Sequence, residues 1–265
     1  MTKRLSYVAC IAMALAGFAC ETLVDDTGGY NANEDGSLSI AAQVVNDSIV
    51  ADVESVSVPV NGERLVTVDY ANAGFSVHLP ATLDAEDLTA VNEETIAALL
   101  PTAGLEVLHL DKYALVSQVA ADPSDAKIAV AADFWGEKEG VANGSFYFAN
   151  IDRLALETAN TSELTNLLKQ AFVETVYIYA DQDVTITGSN DVTSSIDIDF
   201  GGATGVIKST IPCTAKIDLK LKKGWNHVSL QIAVDLNLTT FKVTGKISLT
   251  DAVPAGLLWR YYPYN

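Results

Sequence analysis

The chain has 265 residues, enough for one large domain or two ordinary ones, and it is 49% apolar and 19% charged with only seven prolines. Such a composition is globular, neither disordered nor collagenous, and three cysteines cannot form a dense disulfide scaffold. Acidic residues outnumber basic ones 34 to 16, and a net charge of −18 argues against nucleic acid as a partner, which requires a cationic footprint.

The N-terminus reads as an export signal. Lys3 and Arg4 are followed by an uncharged apolar run from Leu5 to Ala19, too short to span a bilayer, which takes about 20 residues. A small residue, Ala19, precedes Cys20. The tetrad Gly17-Phe18-Ala19-Cys20, followed by Glu21, resembles the lipobox of Bacteroidetes-type lipoproteins, although Gly17 stands where the usual pattern has Leu. That resemblance implies cleavage before Cys20 and acylation of its thiol and amino group; the alternative is an ordinary secretory signal. Losing residues 1–19 removes two bases and no acid, leaving 246 residues of net charge −20. Cys213 is then the one remaining free thiol, so a hydrophobic core must hold the fold. Several acyl chains at Cys20 suffice as an anchor, and no later segment approaches 18 uninterrupted apolar residues.

Residues 20–36 form an expected flexible tether, with five acids, three glycines and no base. Asn31, Asn33, Asp35 and Gly36 imitate the start of a calcium loop, but Ala42 stands where a bidentate Glu is needed. From Ser37 the period is two. Leu38, Ile40, Ala42 and Val44 predict one strand; Val56, Val58 and Val60 predict another, turning at Asn61-Gly62 into Val66, Val68 and Tyr70. A further turn at Asn72–Gly74 leads into Phe75, Val77 and Leu79. Asn92 is a candidate cap for a short helix ending before Pro101. Leu164, Leu167, Leu168, Ala171 and Phe172 make one apolar stripe and predict a helix over 162–174. Thereafter Ile217, Leu219 and Leu221, then Val228 to Leu238, then Phe241 to Leu249 alternate with polar residues, predicting a long antiparallel meander with one wet face.

The fold class predicted is all-β, antiparallel and sandwich-like, with one or two short helices; the alternative is a single lipocalin-like barrel. The expected division is an N-terminal β-sandwich-like domain over 37–118 and a C-terminal β-rich domain over 119–265. Two further stretches, VYIYADQDVTITGS at 176–189 (a strand, then a glycine turn) and LKLKKGWNHVSL at 219–230, resemble uncharacterised Bacteroidetes-type lipoproteins, as does ANAGFSVHLP at 71–80. The resemblance implies an outer-membrane envelope lipoprotein and carries no catalytic residues with it.

Chemistry-bearing motifs are sparse. His78, His109 and His227 share no short motif; His78 and His227 fall in the polar phase of their strands, and no metal site or cofactor is predicted. There is no nucleophile elbow or P-loop; Gly201–Gly205 reads as a turn, and Cys213 has no nearby base. Asp181, Asp183, Asp191, Asp197 and Asp199 cluster, leaving calcium binding or paired-carboxylate hydrolysis of polysaccharide as alternatives to a solvated face. Asp47-Ser48-Ile49 resembles an O-glycosylation sequon of exported Bacteroidetes-type proteins. The aromatic tail is the candidate ligand-binding feature: Trp259, Tyr261, Tyr262 and Tyr264 can close a core or meet a glycan or protein partner. The resulting expectation is a non-enzymatic, lipid-anchored adhesion, scaffold or accessory-binding protein. Its rivals are a polysaccharide hydrolase and a barrel holding a small apolar ligand.

Overall fold

The computed structural model describes residues 33–50, 52–100, 112–158, 167, 171–199, 206–237 and 242–264. Cys20, the signal segment, His109, the Gly201–Gly205 turn and most of the 162–174 stripe lie outside these residues. In chain order the described elements are β1 (Leu38–Gln43), β2 (Ser55–Val60), β3 (Glu63–Asp69), β4 (Gly74–Leu79), β5 (Thr89–Ala90), α1 (Glu93–Ala97), α2 (Lys112–Leu115), β6 (Ala120–Asp122), β7 (Lys127–Ala131), β8 (Phe134–Lys138), β9 (Val141–Ala149), α3 (Arg153–Thr158), β10 (Phe172–Ala180), β11 (Val184–Asp199), β12 (Val206–Leu221), β13 (Gly224–Asn237), β14 (Lys242–Thr250) and β15 (Leu258–Pro263). The fold is all-β and sandwich-like. A two-stranded sheet, β1–β4, lies against a thirteen-stranded sheet whose main path runs β3-β2-β8-β9-β10-β13-β14-β12-β11-β6. That path stays open between β3 and β6, so no lipocalin-like barrel forms.

Local chemistry explains the N-terminal strands. Asn61 and Gly62 both adopt positive φ, 51° and 87°, which closes β2 onto β3 in a tight hairpin. Asn72 and Ala73 do the same between β3 and β4. α1 is a single short helix held by a capping box: Asn92 Oδ1 accepts from Thr95 N at 2.9 Å, and Thr95 Oγ1 accepts from Asn92 N at 2.9 Å.

β10 organises the rest. It pairs with β13 along one whole edge, from Phe172↔Ile232 to Ala180↔Gly224. Its other edge is shared, Glu174 and Thr175 by β9 and Tyr177 to Ala180 by β7. All nine of its residues are buried, because an apolar core lies on each face. On one side Tyr177, Tyr179 and Trp225 join β1–β4, Val56, Val58, Phe134, Phe146 and Trp259. On the other, Val176, Ile178 and Val228 join the α1 and α2 residues Ile96, Ala97 and Leu115 together with Leu219 and Leu249. Burying each such side chain contributes about 1.5–3 kcal/mol.

Three expectations are corrected. β14 is not the end of a meander: it sits between β13 and β12, antiparallel to the first and parallel to the second (Cys213↔Gly245 to Asp218↔Thr250). The turn at 222–223 joins β12 to β13, but the strands diverge beyond it, and β14 fills the gap so that all three share backbone hydrogen bonds. The predicted helix 162–174 does not reach its end, since Phe172 and Val173 begin β10, where β-branched and aromatic residues gain a partner strand on each edge. The turn after YIYAD is Asp181–Asp183, and Gly188 lies within β11, where a side chain would come within 3.0 Å of Gln118 O. β8, β9 and β15 continue the sheet begun by β2 and β3.

The body starts before residue 37. Asp35 Oδ1 accepts from Ser37 N at 2.9 Å and from Ser37 Oγ at 2.7 Å, bonds that hold its carboxyl below the usual range. Gly36 then meets the KKGWN turn. Trp225 N donates to Gly36 O at 3.4 Å, and the Trp225 indole N–H donates to Pro80 O at 2.9 Å. Asn226 satisfies the turn, its Oδ1 accepting from Lys222 N at 2.8 Å. Gly224 has φ +96°, and a Cβ there would come within 2.9 Å of Gly36 Cα and O. Replacing it, Gly224→Ala, is expected to lower stability by about 2–3 kcal/mol. Urea unfolding that left the midpoint unchanged would refute the close packing of Gly36 on this turn.

Candidate functional site

β15 divides the four aromatic candidates between two faces. Trp259 and Tyr261 point into the first core. Trp259 is 7% exposed, with ring centroids 5.1 Å from Phe75 and 5.3 Å from Phe134. Tyr261 packs 4.9 Å from Phe146, and its hydroxyl donates to Asn143 at Oδ1 (3.0 Å) and the backbone O (3.1 Å). Room for that phenol requires Gly144, where a Cβ would stand 2.2 Å from the Tyr261 hydroxyl. These two rings are core residues, out of reach of a ligand. Tyr262 and Tyr264 take the opposite phase. The Tyr262 hydroxyl lies 2.8 Å from both oxygens of Glu157 on α3. Tyr264 is 46% exposed and continues the ladder by donating its N–H to Asn143 O at 2.9 Å. Of the paired face, a row Trp135, Ser145, Tyr262 runs directly across β8, β9 and β15. Arg64 lies over the Trp135 ring, 5.7 Å from its centroid, and is tied to Glu137 at 2.7 Å, so Trp135 presents mainly an edge.

Sequence reasoning missed the charged cluster beside this row. Arg153 on α3 is 5% exposed and Glu174 on β10 is 1% exposed. Arg153 Nε donates to Glu174 Oε2 at 3.1 Å, Nη2 donates to Glu174 Oε1, and Nη2 also donates to Asp133 Oδ1 at 2.8 Å. The guanidinium stacks 4.4 Å over the Tyr147 ring, whose hydroxyl accepts from Arg153 N (2.8 Å) and donates to Asp152 Oδ1 (3.2 Å). Burial works against the Arg153 charge, yet Glu174 and Asp133 outweigh it and hold the guanidinium well above its ordinary value. Burial likewise raises the Glu174 carboxyl, against the pull of Arg153. The signal in the sequence was Glu174 itself, a lone acid inside the apolar run FVETVYIYA. The cluster fastens α3 to the sheet.

The remaining candidates are accounted for separately. His78 is exposed, its Nδ1 3.0 Å from Ser39 Oγ. His227 is a correction: it is 6% exposed, not on a wet face, because aromatic side chains of neighbouring strands enclose it. Its ring stacks 4.7 Å from Tyr177 and 5.9 Å from Phe148. Asp181 accepts from Lys127 N at 3.0 Å, Asp183 pairs with Lys222 at 2.8 Å, and Asp191 accepts from Thr214 at 3.0 Å. The side chains of Asp197 and Asp199 lie outside the description. Among the described residues no three His, Cys, Asp or Glu side chains converge as metal ligands. Cys213 is buried, and desolvation raises its thiol pKa. The two best-formed depressions, about 340 Å³ beside Gln43 and Asn72 and about 320 Å³ beside Asp183 and Lys220, are open and shallow.

No family model matches the chain, and neither a curated protein nor a solved structure gives a significant match.

Two measurements test this assignment. Glu174→Leu leaves Arg153 buried without its main partner and is expected to cost about 3–5 kcal/mol, most of which Arg153→Met restores in the double variant; a strictly additive double variant would contradict the pair. Burial drives the His227 pKa down from 6.5 to about 3. The unfolded chain therefore binds a proton that the folded one refuses, so this contribution is complete above pH 6.5 and is lost as pH falls toward 3. His227→Phe should flatten the stability profile across that window by roughly 4 kcal/mol, and parallel profiles would refute the burial.

Proposed function

We propose that this protein is an exported lipoprotein of the cell envelope, anchored through Cys20, with a non-enzymatic binding or scaffold role. The observation that carries the reading is the N-terminal order Lys3-Arg4, apolar run, Ala19-Cys20. Two further features support it. Among the described residues no helix is long and apolar enough to cross a membrane, which leaves attachment to another device. A core on each face of β10 holds the body together while Cys213 stays a free thiol, so the fold uses no disulfide among the described residues. The partner-facing surface in this reading is the outer face of β15, where Tyr262 and Tyr264 stand beside α3. The inward phase of the same strand is filled by Trp259 and Tyr261, while Tyr262 rests partly buried against the second core and Tyr264 is exposed.

Intact mass of the protein from the membrane fraction is expected to show a chain beginning at Cys20 and carrying acyl groups. Cys20→Ser is expected to move it to the soluble fraction. A free thiol at residue 20 in the membrane-derived protein overturns the reading.

A further inference from the structure

We propose that the outer face of β15 is a stacking strip for a neutral glycan; the inference rests on the reading of that face as the partner-facing surface. Tyr262 lies in β15 and Tyr264 one residue past its end, two residues apart along extended chain, a spacing of about 7 Å. The Tyr262 ring and the Tyr264 backbone are held before any ligand arrives. Glu157 holds the Tyr262 hydroxyl with two 2.8 Å bonds, and Asn143 holds the Tyr264 backbone. The Tyr264 phenol lies against Ser145, within the fields of Asp133 and Arg153. Rings already in place lose little freedom on binding.

The surroundings select the class of partner. A sugar ring offers C–H groups to an aromatic face and hydroxyls to acceptors at its rim. Here Glu157 and the partly exposed Asp133 supply carboxylate acceptors beside the rings. Polyanions are disfavoured twice. The chain carries −18 overall, and the cations nearest the strip are already committed, Arg153 to Glu174 and Asp133, and Arg260 to Asp152 at 3.9 Å and to backbone carbonyls. A protein partner requires a broad apolar centre with deeply seated anchors; this strip is narrow, bounded by α3 and rimmed with charge. The opposite surface provides the control. Across β11, β12 and β14, Thr187, Asp191, Thr214, Lys216 and Lys246 stand on a face with no aromatic side chain among its described residues.

The test is affinity electrophoresis of the full mature protein through native gels containing β-glucan, xylan, mannan or galactan, with alginate and polygalacturonate as anionic counterparts. Retardation by at least one neutral polysaccharide is expected, weakened tenfold or more in Tyr264→Ala and Tyr262→Ala and unchanged in Lys246→Ala. Thermal unfolding of the variants separates lost binding from lost structure, and the exposed Tyr264 ring is the change the fold tolerates best. The inference is overturned if no neutral polysaccharide retards the protein, if an anionic one retards it most, or if folded Tyr264→Ala migrates like the parent. Loss of a captured protein in Tyr264→Ala without any glycan retardation would overturn the glycan and leave the partner-facing surface standing. An unacylated Cys20 would remove the anchor without touching the retardation result.

Discussion

Burial of β10 on both faces is the constraint from which the other features follow. A strand covered on one side alternates polar and apolar residues, whereas one covered on both must be apolar almost throughout. FVETVYIYA meets that demand everywhere except at Glu174 and Thr175. An ionised carboxylate cannot stay in such a place without a partner, and Arg153 supplies one from outside the sheet. Its position brings α3 across β9, stacks the guanidinium on Tyr147, and sets Glu157 under the Tyr262 hydroxyl. The orientation of the outward tyrosine is thus a remote result of one buried acid.

How much of this was legible depends on how many faces each strand hides. β1, β3 and β4 have one wet face or an exposed edge, so the period-two pattern located them closely, and the Asn61-Gly62 turn placed β2 although it is buried on both faces. β10 offered no alternation, and the apolar stripe leading into it extended a helical reading into the first three residues of the strand, Phe172 to Glu174. His227 was misplaced for the same reason: neighbouring Ser229 and Gln231 mark its phase as polar, while the stacking of Tyr177 and Phe148 on it comes from strands far off in sequence. In WRYYPY both phases carry aromatic rings, so alternation shows that the residues split but not which pair turns inward. Gly144, which makes room for the Tyr261 phenol, decides it from 117 positions earlier in the chain.

The charges follow a similar division of labour. Most described carboxylates face solvent, where an excess of one sign keeps a protein soluble and apart from other anions. The few that are inside or at the rim, Glu137, Glu174, Asp133 and Asp152, each meet an arginine. Arginine suits this work better than lysine because its planar fork grips two acceptors at once. The three arginines among the described residues, Arg64, Arg153 and Arg260, are used this way around the same sheet.

The bridge between Val44 and Trp259 has a consequence for how the molecule comes into being. The core that begins with β1 is sealed by a strand more than two hundred positions downstream, so it cannot be finished before β15 has been made. Early segments must wait as a loosely collapsed, sticky intermediate. Chaperone demand and folding speed in this protein are therefore set by the arrival of its final strand, whatever the intrinsic pace of its local hairpins.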